Sequence, residues 1–247
     1  MNDIERAAKL LAPVRALVVT TGAGMSKESG IPTFRDAPSS LWANFNPEDL
    51  ATPQGFLKDP PLVWKWYNER RRMIGEASPH PGHYAIAAME PLFDEFLLLT
   101  QNIDNLHRKA GSNGVVEIHG NIFRFKCFDN HHAIDQLPRT DEEPPRCQCG
   151  SMIRPDVVWF GETLDPDHLD RAFAALTACE AILVVGTSGI VYPAAGFPAA
   201  AKSSGAKVVE VNPEETPISE IADVFVKAGA GEALPALVER LKTLKKE

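Results

Sequence analysis

The sequence predicts an α/β fold built on a doubly wound, mostly parallel sheet, and three observations lead to this prediction. Short apolar runs rich in valine, leucine and isoleucine recur along the 247-residue chain, as the buried strands of a parallel sheet require. Segments with apolar residues at helical spacing separate most of these runs, and such alternation is typical of a sheet covered by helices. Several runs end in glycine or polar residues, at the sheet edge where open α/β folds bind ligands.

Composition and charge limit the function classes. The hydrophobic content of 44% is enough for a sizeable core, while the net charge of −8 disfavours a long nucleic-acid surface, which needs clustered lysine and arginine. The sequence has no apolar run of membrane-spanning length, and its first five residues are too acidic and polar for a targeting signal. Four cysteines are too few for a disulfide framework, so we expect a reduced, cytoplasmic protein.

The first elements are a helix over 4–11 and a strand over 16–19 that leads into a glycine loop at 22–24. A strand that breaks into glycines and resumes as a helix directs N–H groups toward one point, which suits a pyrophosphate. The dinucleotide fingerprint is incomplete, because Lys27 occupies the third glycine position and no acidic residue ends a second strand at the expected distance. A tight turn without a ligand remains the alternative.

Residues 37–89 show no strand pattern and combine aromatic residues with helix formers and prolines, so we expect an inserted helical lobe there. Within it, Tyr67 and Arg70 lie three residues apart in a predicted helix and therefore share a face. A guanidinium group with a phenol hydroxyl beside it can bind a carboxylate. The alternative is that Arg70 to Arg72 form a solvated basic face.

Strands return after this lobe, at 96–99, 115–118, 157–159, 182–185 and 208–211. Helices are predicted at 169–178, 194–203 and 233–245. The segment 123–153 interrupts this alternation, because it is polar and contains three of the four cysteines, so we interpret it as a small inserted module. Polar residues directly after the strands are the candidates for chemistry: Gln101, Asn102, Asp104, His119, Ser188 and Asn212.

His119 is the candidate general base, because imidazole titrates near neutral pH and this residue directly follows a predicted strand. Asn102 and Asp104 can supply the donor and acceptors that a neutral carboxamide requires. The alternative for His119 is a structural histidine whose hydrogen bonds are satisfied, which is the commoner role.

Five stretches together resemble the sirtuin family: GAGMSKESGIPTFR (22–35), TQNID (100–104), EIHG (117–120), RPDVVWFGE (154–162) and GTS (186–188). They occur in the family's order, and the resemblance covers roughly residues 15 to 230. It implies a Rossmann-like sheet within a single catalytic domain over 1–247. It also implies NAD-dependent removal of acyl groups from protein lysines, with NAD consumed, His119 as the base, and nicotinamide and O-acyl-ADP-ribose as products. Acylated lysine side chains would be the partners, without nucleic acid or membrane.

The resemblance also implies roles for individual residues. The NAD site would contain Gly22, Ala23, Gly24, Ser26, Phe34, Arg35, Gln101, Asn102, Asp104, Gly186, Thr187, Ser188, Asn212, Pro213, Glu214 and Ala230. The acyl-lysine channel would contain Ala51, Tyr67, Arg70, Val157, Val158, Trp159, Phe160 and Gly161, with the substrate backbone added as a strand.

The small module departs from the family pattern of two C-x-x-C pairs. Only Cys127, Cys147 and Cys149 are present, the last two separated by one residue, and His131 or His132 is available as a fourth ligand. A structural zinc site of the Cys3His type is possible on this composition. The alternative is a metal-free remnant held by packing.

Tyr67 and Arg70 stand where class III sirtuins carry a Tyr-x-x-Arg pair, and Ala51 matches the small residue that widens the same pocket. The resemblance therefore implies removal of acidic acyl groups, namely succinyl, malonyl or glutaryl, with some activity on acetyl. The alternatives are a plain deacetylase or mono-ADP-ribosyltransferase, or a non-catalytic NAD or ADP-ribose sensor or acyl-lysine reader.

Overall fold

The structure is a computed structural model that describes residues 2–32 and 50–246, so the predicted cofactor residues Phe34 and Arg35 lie outside the described residues. Its strands are β1 (Ala16–Thr21), β2 (Glu95–Thr100), β3 (Val115–Glu117), β4 (Gly120–Cys127), β5 (Ala133–Ile134), β6 (Ile153–Val157), β7 (Ala181–Val185), β8 (Lys207–Asn212) and β9 (Val224–Lys227). Its α-helices in these ranges are α1 (Asp3–Leu11), α2 (Gly24–Lys27), α3 (Pro53–Lys58), α4 (Pro60–Glu76), α5 (Pro81–Met89), α6 (Leu106–Lys109), α7 (Pro166–Ala178), α8 (Phe197–Ser203) and α9 (Ala230–Leu244).

Local sequence explains where the main helices begin. Helices α3, α4, α5 and α7 each start with proline, whose fixed φ suits the first helical position. The residue before that proline accepts a hydrogen bond from the first turn, as Thr52 does from Gly55 and Asp59 does from Leu62.

Six parallel strands form the larger sheet, in the order β3-β2-β1-β7-β8-β9. The strand order reverses between β1 and β7, and ligands of doubly wound sheets bind at the carboxyl ends of the strands at such a point. The predicted doubly wound, mostly parallel sheet is confirmed. β9 was not predicted, and it pairs with β8 at one edge of the sheet.

The apolar side chains of the strands point alternately to the two faces of this sheet, and on each face they pack against a layer of helices. Leu17 and Val19 of β1 pack in one layer, together with α1, α5 and α9. Val18 packs in the other, against α7 and α8. Successive residues of a strand point to opposite faces, so β1 contributes to both halves of the core.

The second sheet is antiparallel and has the order β5-β4-β6. The prediction of a strand of the main sheet at 157–159 was wrong, because β6 ends at Val157 and pairs with β4. An apolar run followed by polar residues looks the same in either sheet, since the pattern does not specify a partner strand. The second sheet runs from 120 to 157 and the first described helix of the lobe begins at 53, while the boundaries 37–89 and 123–153 stay predictions.

Among residues 2–32 and 50–246, the structure has no helix that is both long and apolar enough to cross a bilayer.

Candidate active site

The loops that follow β1 and β7 meet with their backbones in direct contact. The N–H of Gly24 donates to the carbonyl of Gly186 at 2.8 Å. A Cβ on Gly24 would lie 2.8 Å from that same oxygen, and one on Gly22 would lie 2.8 Å from Cβ of Thr187. Gly186 has φ +57°, and a Cβ there would lie 2.3 Å from the Met25 amide nitrogen. This close approach explains why all three positions require glycine.

The contact between the two loops also determines which groups the amides of the glycine loop bind. Gly22 N–H donates to Val185 and Gly24 N–H to Gly186, while α2 is only four residues long. The amides of both glycines are therefore hydrogen-bonded within the protein. The glycines shape the loop, and exposed Ala23 lies between them.

Three predicted residues from two loops form one buried hydrogen-bonded group. Ser26 Oγ donates to Asp104 Oδ2 at 2.6 Å and accepts from Asn102 Nδ2 at 3.0 Å. The other carboxyl oxygen of Asp104 accepts from the N–H of Leu106 at 2.8 Å. Burial raises the pKa of the Asp104 carboxyl, against these hydrogen bonds. The carboxyl ends of β1 and β2 thus carry an amide, a hydroxyl and a carboxyl at one point.

Thr187 links the polar residues on either side of it. Its hydroxyl accepts from Gln101 Nε2 at 3.1 Å, and its carbonyl accepts from Asn212 Nδ2 at 2.8 Å. Half-buried Ser188 follows it.

The remaining predicted cofactor residues lie directly after the carboxyl end of β8 and at the start of α9. Pro213 and Glu214 are exposed after β8, and buried Ala230 begins α9. The carboxylate of Glu28, one residue beyond α2, accepts from the Gly231 N–H at 2.9 Å, which fixes α9 beside the glycine loop.

His119 is oriented by a backbone carbonyl. Its Nδ1 lies 3.1 Å from the carbonyl oxygen of Gln101. Because a carbonyl only accepts, Nδ1 must carry the hydrogen, and Nε2 is left with a lone pair. Burial lowers the pKa of His119, partly offset by the Gln101 carbonyl. The imidazole is therefore held neutral, in the tautomer that a general base needs.

Gly120 brings the second sheet against this histidine. It has φ +80°, and a Cβ there would lie 2.1 Å from the carbonyl oxygen of Asp156. The carbonyl of His119 itself accepts from the N–H of Val158 at 2.9 Å. His119 therefore lies where the two sheets join.

The predicted acyl-channel residues come together around Trp159. Ala51, Tyr67, Val157 and Trp159 share one buried cluster. Trp159 Nε1 donates to the Tyr67 oxygen at 2.8 Å. Half-buried Val158 packs instead against the core beside α7 and α8.

The segment that follows Trp159 returns toward the helical lobe. The N–H of Phe160 donates to the Ala51 carbonyl at 2.9 Å, and Gly161 turns the chain with φ +85°. The hydrogen bond between Phe160 and Ala51 therefore joins this segment to the helical lobe.

Arg70 lies one helical turn after Tyr67 on α4. Its guanidinium carbon is 5.0 Å from the centre of the Trp66 ring, and burial lowers its pKa. Burial also raises the pKa of Tyr67 to about 12, against the hydrogen bond from Trp159 and the charge of Arg70. The phenol is therefore protonated at neutral pH.

Two residues of the same stretch that the sequence analysis did not select hold Trp159 in place. Arg154 is fully buried, with its guanidinium carbon 3.2 Å from the centre of the Trp159 ring. It forms two hydrogen bonds with the Glu162 carboxylate, at 2.5 and 3.0 Å, and Glu162 also accepts from the Trp159 N–H at 2.8 Å. The sequence signal for this pair was an arginine and a glutamate that lie eight residues apart and flank an apolar run.

A second missed group lies under Asn102. Thr21 and Thr100 face each other in the register of β1 and β2, and their hydroxyls are 2.8 Å apart. Thr100 Oγ1 accepts from the Asn102 N–H at 3.1 Å, and Thr21 Oγ1 lies 3.0 Å from Nε2 of His107. The signal was a threonine at the end of each of two strands.

The small module brings together four side chains suited to a metal ion. The ligand atoms of Cys127, His132, Cys147 and Cys149 all lie within 4.8 Å of one another. His132, and not His131, thus completes the set. Hydrogen bonds from the Ser151 backbone and the Asn130 side chain lower the pKa of Cys149 to about 6, which favours the thiolate that metals bind. A Cys3His set of this size fits tetrahedral zinc.

Comparison with known proteins agrees with this geometry. The model of the "Sir2 family" matches residues 22–193. A protein of Pyrobaculum aerophilum called NAD-dependent protein deacylase 2 is 50% identical over 236 residues, covering 95% of this chain and 94% of its own. An NAD-dependent protein deacylase of Aquifex aeolicus is 48% identical over 228 residues, covering 92% and 95%.

Solved structures give the same result. A Sir2 homologue in complex with NAD is 42% identical, with a TM-score of 0.88 over 97% of this chain and 94% of that one. A Sir2 protein bound to a myristoylated histone peptide is 36% identical, with a TM-score of 0.78 over 99% and 98%. On the match of sequence and the likeness of fold, the chain belongs to the Sir2 family.

Proposed function

We propose that this protein is an NAD-dependent protein-lysine deacylase with a preference for acidic acyl groups. The observation that carries the proposal is the oriented imidazole of His119, held by the carbonyl of Gln101, the residue directly before Asn102 in the buried group of Ser26, Asn102 and Asp104. The activity named for the relatives from Pyrobaculum aerophilum and Aquifex aeolicus supports it. So do the complexes of Sir2 proteins with NAD and with an acylated peptide.

In this mechanism the chain binds, orients and moves protons. Bound NAD would supply the electrophilic ribose carbon and nicotinamide as the leaving group. Asn102 and Asp104 would hold the carboxamide, through the one donor and two acceptors that an amide requires. Nε2 of His119 would take a proton from a ribose hydroxyl, with its lowered pKa keeping the base form available at neutral pH.

The choice of acyl group depends on the end of the channel. A succinyl group brings a carboxylate into an apolar tunnel, which costs several kcal/mol if the charge is left unpaired. The Tyr67 oxygen accepts from Trp159, so its own O–H remains for donation to a second acceptor. With the charge of Arg70 one turn away, the pair can offset that cost, whereas a neutral acetyl group would gain nothing from it.

One incubation tests both parts of the proposal. The protein with NAD should release nicotinamide and deacylated product from matched acetyl-, malonyl- and succinyl-lysine peptides, and act most efficiently on the acidic ones. Arg70→Met should raise KM for succinyl-lysine roughly 10-fold or more, since a charge-assisted hydrogen bond contributes about 1.5–3 kcal/mol. Tyr67→Phe should do the same more weakly, and acetyl activity should hold in both variants.

Arg72→Met is the matched control, because Arg72 lies on the same helix in an exposed pair with Glu76. It should change no KM. Equal loss of succinyl and acetyl activity in the Arg70 and Tyr67 variants would favour the plain deacetylase. Turnover of NAD without deacylated product would favour an ADP-ribosyltransferase.

Two further parts of the proposal concern the metal and the compartment. Cys127, His132, Cys147 and Cys149 would hold a structural zinc ion outside the chemistry. We expect the protein to act in the cytoplasm, on acylated lysines of other proteins and not on nucleic acid or membranes.

A further inference from the structure

Glu210 is a fully buried carboxyl residue in the middle of β8. It shares a face of the strand with Val208, which packs in the core beside α7 and α8. Both of its oxygens accept hydrogen bonds from side-chain hydroxyls, at 2.6 Å from Thr216 and at 2.5 Å from Ser219. A carboxyl group at such a position is costly unless it is hydrogen-bonded, and here both oxygens are.

The two hydroxyls also accept, and this folds the segment 216–219 into a compact turn. Thr216 Oγ1 accepts from the N–H of Ile218 at 3.1 Å, and Ser219 Oγ accepts from the N–H of Thr216 at 2.9 Å. The N–H of Ser219 donates back to the Thr216 carbonyl at 3.0 Å. Glu210 therefore anchors a closed turn to the sheet through two points.

The turn carries Ile218 against the loop that follows β7. Ile218 is buried, and a Cβ on Gly189 would lie 3.0 Å from two of its side-chain carbons. Gly189 lies two residues after Thr187, whose hydroxyl and carbonyl bind Gln101 and Asn212. The turn therefore packs directly against the loop 186–189, through Ile218 and Gly189.

We propose that Glu210 is a positioning residue for NAD binding. By anchoring Thr216 and Ser219 it presses Ile218 against Gly189 and so holds the loop 186–189 against Gly22 and Gly24. The inference rests on the proposed use of NAD. It requires no contact between Glu210 and the ligand, because the effect passes through packing.

The test compares Glu210→Gln with Asp223→Asn in the full-length protein. Asp223 is a matched control, since its carboxylate accepts from Val208 N–H at 2.8 Å at the other end of the same strand and pairs with Lys202 and Lys207. NAD affinity is measured by calorimetry, KM for NAD and for peptide by steady-state kinetics, and backbone mobility by hydrogen–deuterium exchange of segment 186–190. Ser219→Ala is the second variant, in case Glu210→Gln folds poorly.

Glu210→Gln and Ser219→Ala should weaken NAD binding roughly 10-fold, about the effect of one lost buried hydrogen bond, and leave the peptide KM unchanged. Both should speed exchange in 186–190, whereas Asp223→Asn should lower Tm without either change. The positioning role is overturned if exchange and NAD affinity stay at wild-type values, or if all three variants lose affinity in proportion to Tm. If the wild-type protein binds no NAD while Glu210→Gln still speeds exchange in 186–190, the proposed function is overturned. The role of Glu210 in holding the loop 186–189 would then still stand.

Discussion

At the scale of single residues, the tautomer of His119 follows from one backbone carbonyl. The Gln101 carbonyl fixes the hydrogen on Nδ1, and burial keeps the ring neutral. His119→Ala should therefore lower deacylation by at least about 10²-fold, as expected for the loss of a positioned base. NAD affinity should stay close to wild type, because the buried group of Ser26, Asn102 and Asp104 is untouched. Steady-state kinetics and calorimetry check the two parts.

His168→Ala, on α7, is the control and should change neither quantity. Near-normal turnover by a folded His119→Ala protein would remove this residue from the mechanism.

The same residue predicts a pH profile. The active form of the base is neutral imidazole, and burial lowers the pKa of His119 below its usual value of 6.5. The midpoint of the loss of kcat/KM on acidification should therefore lie below pH 6.5. A profile from pH 5 to 8, with stability checked at each pH, measures this. A midpoint above pH 6.5 would contradict the buried environment assigned to His119.

At the scale of elements, the close contact between the loops 22–24 and 186–189 leaves no room for a larger residue at Gly24. Gly24→Ala would place a Cβ 2.8 Å from the Gly186 carbonyl oxygen, so one loop must move. We expect a lower Tm and weaker NAD binding. Gly75→Ala, within α4, is the control, because the added Cβ would lie 3.8 Å from a ring carbon of Phe123, an ordinary van der Waals distance. It should stabilise the protein by up to about 1 kcal/mol, as alanine does in helices. Equal behaviour of the two variants would mean that the loops separate freely.

The small module gives a test that separates two adjacent histidines. His132 belongs to the cluster with Cys127, Cys147 and Cys149, whereas His131 does not. His132→Ala should lower the zinc content from near one equivalent and lower Tm, and a chelator should lower the Tm of the wild type. His131→Ala should keep the metal. Folded, active protein that contains no zinc would show that packing alone holds the module.

Sequence reasoning located most strands of the main sheet and the polar residues at their ends, because burial on both faces leaves a clear apolar run. It assigned 157–159 to the wrong sheet and missed β9, since an apolar pattern does not name a partner strand and a four-residue edge strand is a weak signal. The hydrogen bond between Trp159 and Tyr67 joins residues 92 positions apart. Contacts of that separation arise from packing, which one sequence does not specify.

At the scale of the whole molecule, two buried histidines, His83 and His107, should contribute most strongly to the loss of stability in acid. Burial lowers the pKa of His83 to about 2 and that of His107 to about 3, and their ring centres are 4.9 Å apart. Between these values and pH 6.5 the unfolded chain binds more protons than the folded one. Stability therefore rises with pH in that window and falls on acidification, by about 1.4 kcal/mol per pH unit for each histidine well below pH 6.5.

Denaturant titrations between pH 6.5 and 5, above the usual pKa values of aspartate and glutamate, measure this slope. His107→Gln should reduce the slope by half a proton at pH 6.5, rising to about one proton near pH 5. This holds even if the variant is less stable overall, so the slope and the stability are separate readouts. A slope unchanged by the substitution would show that His107 titrates normally in the folded protein.

The position of Trp159 has a spectroscopic consequence. Its indole is covered on one face by the Arg154 guanidinium and hydrogen-bonded at Nε1 to Tyr67. Fluorescence from such an indole is sensitive to nearby charge and to the strength of its hydrogen bond. An acidic acyl chain that reaches Tyr67 would change both, whereas an acetyl group would stop short of them. Emission from Trp159, isolated by subtracting the spectrum of Trp159→Phe, would therefore distinguish the two substrates before any bond is broken.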